Sequence, residues 1–195
     1  MIIFIIFLIT IFIWNNSKGN KEKFELSFDM DYIYAISRDG DIICRMGKGI
    51  WSDKIADLSE KDKRFSHVGI IRKSNNQITV INADGTATQK RGFVNEDSLE
   101  SFLKDSSMIG IFRTNDVDGH LISNVAFEYI GVPFDWNFDL DDVHELYCTE
   151  LIYVVLKDLE SKIQLKKIFK NEIDKIIVPL DAISNSIDFT EIYIN

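Results

Sequence analysis

Two β-rich segments in the middle of the chain constrain its fold more than any other feature. Residues 66–72 and 77–82 are rich in β-branched residues, and the polar sequence Lys73-Ser74-Asn75-Asn76 between them is typical of a turn. Two strands joined by so short a connection pair antiparallel. The sequence therefore predicts a sheet organised around this hairpin.

The remaining segments predict more strands near the hairpin and helices on either side of it. The predicted strands are 41–45, a third strand through Lys90 after the turn signal 83–86, 108–113, 176–180 and 189–194; the predicted helices are 96–104, 118–130 and one that begins at Cys148, while 52–63 forms a helix or an ordered loop. Grouped strands flanked by helices indicate an α+β fold rather than alternating βαβ units.

The N-terminus is set apart by an apolar run. Residues 1–14 are apolar except for Thr10, and no charged residue occurs in the first seventeen positions. Fourteen residues are short for spanning a bilayer, which takes about 20, and fit the core of a signal peptide. No basic residue precedes the run and no small-x-small site follows it, so a retained anchor stays open. We predict a signal peptide or membrane anchor over 1–17 and one domain over 25–195, exported or membrane-anchored at the cell envelope; a cytoplasmic protein is the alternative.

The charge of the chain argues against nucleic acid as a partner. The formal net charge is −9 and the pI is about 4.8, so the protein repels phosphate backbones rather than attracting them. The two cysteines are too few for a disulfide scaffold. A single bridge between Cys44 and Cys148 remains an alternative to free thiols.

Cys148 is the candidate nucleophile. It stands at the predicted start of an amphipathic helix, whose apolar positions Leu151, Val154, Val155 and Leu159 follow at helical spacing. The positive end of the helix dipole favours the thiolate there, which predicts ionisation at low pH and alkylation near pH 6. The alternative is that Cys148 is only a small buried hydrophobe.

His67 is the candidate base because it lies on a predicted strand beside a glycine and opposite polar residues. His67, Gly69 and Ile71 share one face of the strand, and Gly69 leaves space beside the imidazole. A four-residue turn pairs positions that sum to 149 and sets His67 opposite Asn82, whereas a two-residue turn gives 151 and sets it opposite Asp84. The alternative is a half-buried histidine bonded to backbone.

These side chains supply the three groups that thiol catalysis needs. A thiol requires a base to take its proton, and the base requires a third group to hold its tautomer. Cys148, His67 and Asn82, with Asp84 as the fallback, meet that requirement. His144 falls in a predicted loop and His120 at the surface, so both have weaker claims than His67.

Four motifs of the chain, and the order in which they occur, resemble those of a known family. Gly40-Asp41-Ile42-Ile43, Ser66-His67-Val68-Gly69-Ile70, Val80-Ile81-Asn82-Ala83 and Tyr147-Cys148-Thr149-Glu150-Leu151 resemble those of YiiX-like proteins. These are the circularly permuted branch of the NlpC-type papain-like cysteine hydrolases, related to the lecithin–retinol acyltransferase group. The resemblance covers residues 38–195.

The resemblance implies a permuted papain-like fold, with an antiparallel sheet or partial barrel packed on the cysteine helix. It also implies that Cys148 is the nucleophile and His67 the base. It leads us to expect glutamate where this chain has Asn82. An asparagine can orient an imidazole, but it cannot balance the charge of an imidazolium.

The segment from Pro133 to Asp139 is predicted to form a substrate-facing loop. Together with Gly69 beside the histidine and Tyr147 beside the cysteine, Asp135 of this loop is a predicted substrate contact. The loop's carboxylates do not fit an EF-hand, because the sixth residue from Asp135 is Leu140 and the twelfth is Leu146. A zinc site of Cys148, His67 and His144 lacks a fourth ligand, so we predict no metal and no cofactor. We take Asp41 as structural.

The predicted function is a thiol hydrolase, or an acyltransferase, that cleaves an amide, peptide or ester bond through an acyl-enzyme. The expected substrates are cell-envelope peptides or lipids, with membrane association through the N-terminal segment. One alternative is a membrane-tethered papain-like domain that binds such ligands without turnover. Another is a domain in which the two cysteines form a structural disulfide.

Overall fold

The computed structural model describes residues 28–74, 77–86, 91–142 and 144–195. The predicted leader over 1–17 lies outside these residues. Within them, no helix has the length and apolar character needed to cross a membrane. The elements are α1 (Met30–Ile36), β1 (Ile42–Gly47), α2 (Ile50–Ala56), β2 (His67–Ser74), β3 (Gln77–Thr86), β4 (Arg91–Ser98), α3 (Leu99–Leu103), β5 (Ser106–Arg113), α4 (Gly119–Glu128), α5 (Cys148–Asp158), β6 (Ile168–Lys170), β7 (Lys175–Ile177), α6 (Asp181–Ser184) and β8 (Thr190–Ile194).

A six-stranded sheet in the order β4-β3-β2-β1-β5-β8 forms the centre of the domain. Every neighbouring pair is antiparallel, and β6 and β7 form a separate two-stranded sheet. Strands that are consecutive in the chain, from β2 to β4, lie side by side. The α+β prediction with an antiparallel sheet is confirmed.

Helices cover both faces of the sheet, so β2 and β1 are buried on both sides. One face packs with α4 and α5 in a core that includes Val68, Ile70, Leu151 and Val155. The other face packs with α1 and α3 in a second core that includes Ile71. Burial of apolar surface on both faces makes β2 a rigid support for the residue at its start, His67.

The strand β3 is longer than the sequence predicts. The segment 83–86 was expected to be a turn, but it continues β3 and pairs with β4, with Asp84 opposite Phe93 and Gly85 opposite Gly92. Cross-strand pairing therefore overrides the local Asp-Gly turn signal. Gly85 serves close packing instead, because a Cβ there would lie 2.6 Å from the Trp136 ring.

The β2–β3 register settles which of the two predicted turns is right. Ile70 pairs with Ile81 and Ser74 with Gln77, so paired positions sum to 151. The four-residue turn with Arg72 opposite Gln77 is wrong, and the two-residue turn is right. The turn residues 75–76 themselves lie outside the described part of the chain.

Asp41 has a structural role next to β1, as predicted. Its carboxylate is 1% exposed and accepts two hydrogen bonds from Arg113, both of 2.7 Å, and one from the backbone N–H of Arg38, also of 2.7 Å. The same guanidinium donates to the carbonyl of Ile36 at 2.9 Å. This bidentate pair joins β1, β5 and the end of α1.

Replacing Arg113 with leucine should destabilise the domain by about 3–5 kcal/mol, because it leaves the buried Asp41 carboxylate without its counter-charge. Urea unfolding followed by circular dichroism measures this change. The matched control is Asp57→Asn, which removes an exposed ion pair with Lys63 and should barely move the unfolding midpoint. Equal, small shifts in the two variants would contradict the structural role of Asp41.

Candidate functional site

The start of α5 holds Cys148 in a fixed position. The Tyr147 hydroxyl accepts the backbone N–H of Val178 at 2.9 Å, and the Thr149 hydroxyl donates to the carbonyl of the same residue at 2.5 Å. The Glu150 carboxyl accepts the backbone N–H of Tyr147 at 3.3 Å. Burial raises the pKa of this carboxyl to about 8. The thiol therefore sits on a helix end that is tied to the strand region after β7.

His67 is the first residue of β2 and makes a hydrogen bond to Asn82 of β3. The distance from Nε2 to Oδ1 is 2.9 Å, and both side chains are buried. The register sets Asp84 opposite His67, yet the bond goes to Asn82, which lies directly opposite Gly69 and diagonally from His67. A Cβ at Gly69 would lie 3.0 Å from the Cβ of Asn82. The missing side chain of Gly69 thus gives Asn82 room to reach the imidazole.

Asp97 of β4 determines how the Asn82 amide is oriented. The Asn82 Nδ2 donates to the Asp97 carboxylate at 3.0 Å. A carboxylate only accepts, so the amide NH₂ must face Asp97 and the amide oxygen must face His67. The imidazole then carries its proton on Nε2 and keeps the lone pair of Nδ1 free. This tautomer is the one that a general base requires.

Cys148 and His67 line one cavity of about 210 Å³ at the end of the sheet. Cys148 reaches it from the start of α5, and His67 from the start of β2. The imidazole stacks on Phe102, with ring centroids 5.5 Å apart. The other lining residues are Arg45, Trp51, Ser52, Ile55, Ser66, Asp84, Gly85, Phe134, Trp136 and Phe138.

Burial keeps both reactive groups neutral. Burial, with a smaller contribution from the Asp84 charge, raises the pKa of the Cys148 thiol to about 12, although the backbone N–H groups of Thr149 and Val68 act in the opposite direction. Burial and then the nearby charge of Arg45 lower the pKa of the His67 imidazole. Among the described residues, no hydrogen bond joins the sulfur to the imidazole. The resting site therefore holds a thiol and a neutral ring rather than an ion pair.

The three predicted substrate contacts, Gly69, Asp135 and Tyr147, are not among the residues that line this cavity. Gly69 makes room for Asn82. The Asp135 carboxylate is 1% exposed and accepts the backbone N–H groups of Asn137 at 2.6 Å and Asp139 at 2.5 Å. Tyr147 is buried and bonded to the backbone after β7. These residues shape the loops, and their direct contact with a substrate stays a prediction.

The fallback residue Asp84 does line the cavity, but it does not bind the imidazole. Its side chain is exposed, and one carboxylate oxygen accepts the backbone N–H of Gly85 at 2.8 Å. Its charge influences the pKa values of His67 and Cys148 from this position. Asp84 is therefore a charged part of the wall rather than the third member of a triad.

The other histidines and Cys44 lie outside this site. His120 and His144 are exposed and occupy α4 and a loop. Both cysteines are free thiols; Cys44 is fully buried, and burial raises its pKa well above the ordinary value. In the part of the chain that the structure describes, no group of three or more His, Cys, Asp or Glu side chains is arranged to hold a metal ion.

The sequence analysis did not single out Arg45, Asp97 or the individual aromatic side chains of the cavity. Arg45 pairs directly with His67 across β1 and β2, and Asp97 reaches Asn82 from β4. Neither the β1–β2 nor the β3–β4 register can be read from local sequence. The aromatic spacing Phe134, Trp136, Phe138 in the predicted substrate-facing loop was the one available signal, since alternate residues of an extended segment point the same way.

A thiol at a helix start that shares a cavity with an amide-bound imidazole defines the papain-like class of cysteine hydrolases. The family comparison makes this class specific. The chain belongs to the permuted papain-like amidase family of YaeF and YiiX, the C92 family, whose model matches residues 37–177. The resemblance predicted from the motifs is confirmed, and the non-catalytic alternative is not retained.

A solved structure agrees with this assignment. The fold is similar to that of the metalloprotein YiiX from Escherichia coli O157:H7, with a TM-score of 0.65 and 18% identity over 81% of this chain and 97% of that chain. At this identity the likeness supports the fold alone. No protein of curated function matches the sequence significantly.

Alkylation of Cys148 should be slow near neutrality and should accelerate with pH. The thiolate fraction of a group with a pKa of about 12 rises about tenfold per pH unit below that value. The rate of iodoacetamide labelling, followed by mass spectrometry in a Cys44→Ala variant, should therefore climb steadily from pH 6 to 10. A plateau at or below pH 7 would show that the helix N-terminus outweighs burial, as the sequence alone predicts.

Proposed function

We propose that the protein hydrolyses an amide or ester bond with Cys148 as nucleophile, His67 as base and Asn82 as the group that orients the base. The observation that carries the proposal is the hydrogen bond from His67 Nε2 to Asn82 Oδ1 in a ring that shares its cavity with Cys148. This bond leaves Nδ1 of His67 available to the thiol. An amide or ester carbonyl bound in the cavity supplies the electrophile.

The reaction begins with a proton transfer that accompanies attack. His67 Nδ1 takes the thiol proton as the sulfur forms a bond to the carbonyl carbon, because the neutral pair gains nothing from separating charge earlier. Backbone N–H groups at the start of α5 donate hydrogen bonds to the oxyanion that forms. The imidazolium then gives its proton to the leaving amine or alcohol, and the carbon–nitrogen or carbon–oxygen bond breaks.

A thioester remains after the first product leaves. Water then enters the site. His67 takes one of its protons as the water oxygen attacks the acyl carbon. The carbon–sulfur bond breaks and the sulfur recovers a proton from the imidazolium, which restores the thiol. An alcohol or amine in place of water would give acyl transfer by the same route.

Asp97 supplies charge that Asn82 lacks. An amide cannot balance an imidazolium by itself, but the Asp97 carboxylate accepts from its NH₂ group and polarises the amide oxygen toward His67. Charge-assisted hydrogen bonds are about twice as strong as neutral ones. We infer that Asp97 is a positioning residue, which acts on His67 through Asn82.

We further infer that the protein acts on peptides or lipids at the cell envelope. The apolar run over residues 1–14 supports this location, and the aromatic side chains of the cavity favour a substrate with an apolar group. Fractionation of the full-length chain tests the location, since recovery in the cytoplasmic fraction alone would contradict it.

Cys148→Ala and His67→Ala should each lower the hydrolysis of small acyl amides and thioesters by at least about 10³-fold, because each removes a bond-making or proton-transferring group. A burst assay and the mass of an acyl adduct on Cys148 measure the two steps. Cys44→Ala is the matched control and should keep activity. Full activity in Cys148→Ala would contradict the proposed nucleophile.

The Asp97 variants separate positioning from general stability. Asp97→Ala should lower kcat about 10- to 100-fold with little change in KM, whereas Asp97→Asn, which keeps a hydrogen-bond acceptor, should lose less. The control is Glu96→Gln on the same strand, whose carboxylate bonds the Thr79 hydroxyl at 2.5 Å and lies 3.6 Å from Arg72. An unchanged kcat in Asp97→Ala, or an equal loss in all three variants, would overturn the role.

A further inference from the structure

Arg45 brings a positive charge into the catalytic cavity. It lies directly opposite His67 in the β1–β2 ladder, so the two side chains leave the same face of the sheet. Its guanidinium carbon lies 5.3 Å from the centre of the Phe102 ring, the ring on which His67 also stacks. Arg45, His67 and Cys148 all line the cavity.

The Arg45 guanidinium forms no direct ion pair within the described residues. The Nε atom of Arg45 is buried and makes no hydrogen bond, and no salt bridge to Arg45 occurs in the described ranges. The charges of Asp84, Asp97 and Asp105 act on Arg45, but none of these carboxylates forms a salt bridge with it; Asp97 accepts from Asn82 and Asp84 accepts from Gly85. Arg113, by contrast, has Asp41 as a bidentate partner. A partly buried guanidinium whose Nε has no hydrogen-bond acceptor is unfavourable, and an anionic group of a ligand would supply that acceptor.

We propose that Arg45 binds an anionic group of the substrate, a carboxylate or a phosphate, next to the bond that Cys148 attacks. The planar guanidinium fork matches both anions. This inference rests on the proposed function for the identity of the scissile bond, but the anion site itself rests on Arg45 and the cavity alone.

The aromatic residues that line the cavity define the other half of the substrate. Phe134 and Trp136 pack against each other with tilted rings whose centroids are 4.7 Å apart, and Trp51 and Phe138 also line the cavity. A volume of about 210 Å³ is below the roughly 300–1,000 Å³ of sites for drug-sized ligands. The substrate class is therefore an amide or ester that joins a compact apolar acyl group to a small anionic moiety, such as an amino acid or a phosphorylated amino alcohol.

Anion binding at Arg45 would also assist the proton transfer. The Arg45 charge disfavours a second positive charge on the neighbouring imidazole. A substrate anion paired with the guanidinium cancels that effect at the moment when His67 must accept the thiol proton. An uncharged analogue of the same shape would leave the repulsion in place, so it should be a slower substrate as well as a weaker ligand.

Binding to a Cys148→Ala variant tests the proposal without turnover. The probes are N-phenylacetylglycine, N-phenylacetylglycinamide and N-phenylacetyl-phosphoethanolamine, with affinity measured by calorimetry and by quenching of tryptophan fluorescence. At least one anionic probe should bind about 30-fold more tightly than the carboxamide. The better of the two anions identifies the carboxylate or the phosphate as the natural group.

Variants of the arginine complete the test. Arg45→Met in the Cys148→Ala background should abolish the preference for the anion. Arg45→Lys should keep part of that preference, because a single ammonium charge replaces the planar, bidentate guanidinium. Arg72→Met, on the neighbouring strand and paired with Glu96, is the matched control and should keep the full preference.

Two results would overturn the anion site. One is equal or undetectable binding of all three probes to the Cys148→Ala protein, a result that does not depend on how well any arginine variant folds. The other is an undiminished preference in folded Arg45→Met. The Cys148→Ala protein turns over no probe, so its binding preference does not depend on the proposed hydrolysis. A failure of the hydrolysis would show in the unsubstituted protein, as the absence of an acyl adduct on Cys148, while Cys148→Ala still preferred the anion.

Discussion

The hydrogen bond between His67 and Asn82 is the interaction on which the proposed catalytic arrangement depends. It crosses two strands diagonally, and it is made where Gly69 removes the side chain that would stand between them. Asp97 then orients the amide from the third strand. Three adjacent strands thus fix one imidazole tautomer, and the rigidity of a sheet covered on both faces holds that tautomer in place.

The same burial that holds these groups also determines their charge state. A thiol at a helix N-terminus gains from the dipole, yet the loss of water around Cys148 has the larger effect. Burial, and after it the charge of the neighbouring Arg45, lowers the pKa of His67. In the proposed reaction, this charge state favours a proton transfer concerted with attack. It does not favour a stored thiolate, which suits a nucleophile that acts on a bound acyl group rather than on oxidants in solution.

The sequence-based predictions were correct where the interactions behind them are local, and they failed or stayed open where the interactions join distant segments. The strands around Ile70 and Ile81 were predicted from local composition, and the start of α5 at Cys148 from helical spacing. The turn at 83–86 was wrong because pairing with β4 outweighs a local Asp-Gly preference. The β2–β3 register was left between two alternatives, since both turn lengths fit the same residues.

By itself, the sequence determined the class of the protein. The β-rich hairpin, the flanking helices and the order of the histidine and cysteine motifs can all be recognised without a structure, because they are local patterns. Only the tertiary structure decided which polar residue meets His67, which charges stand behind it and what lines the cavity. Arg45, Asn82 and Asp97 come from three different strands. Their distances depend on registers that no single segment encodes, and their electrostatics depend on burial that exists only after those strands have packed.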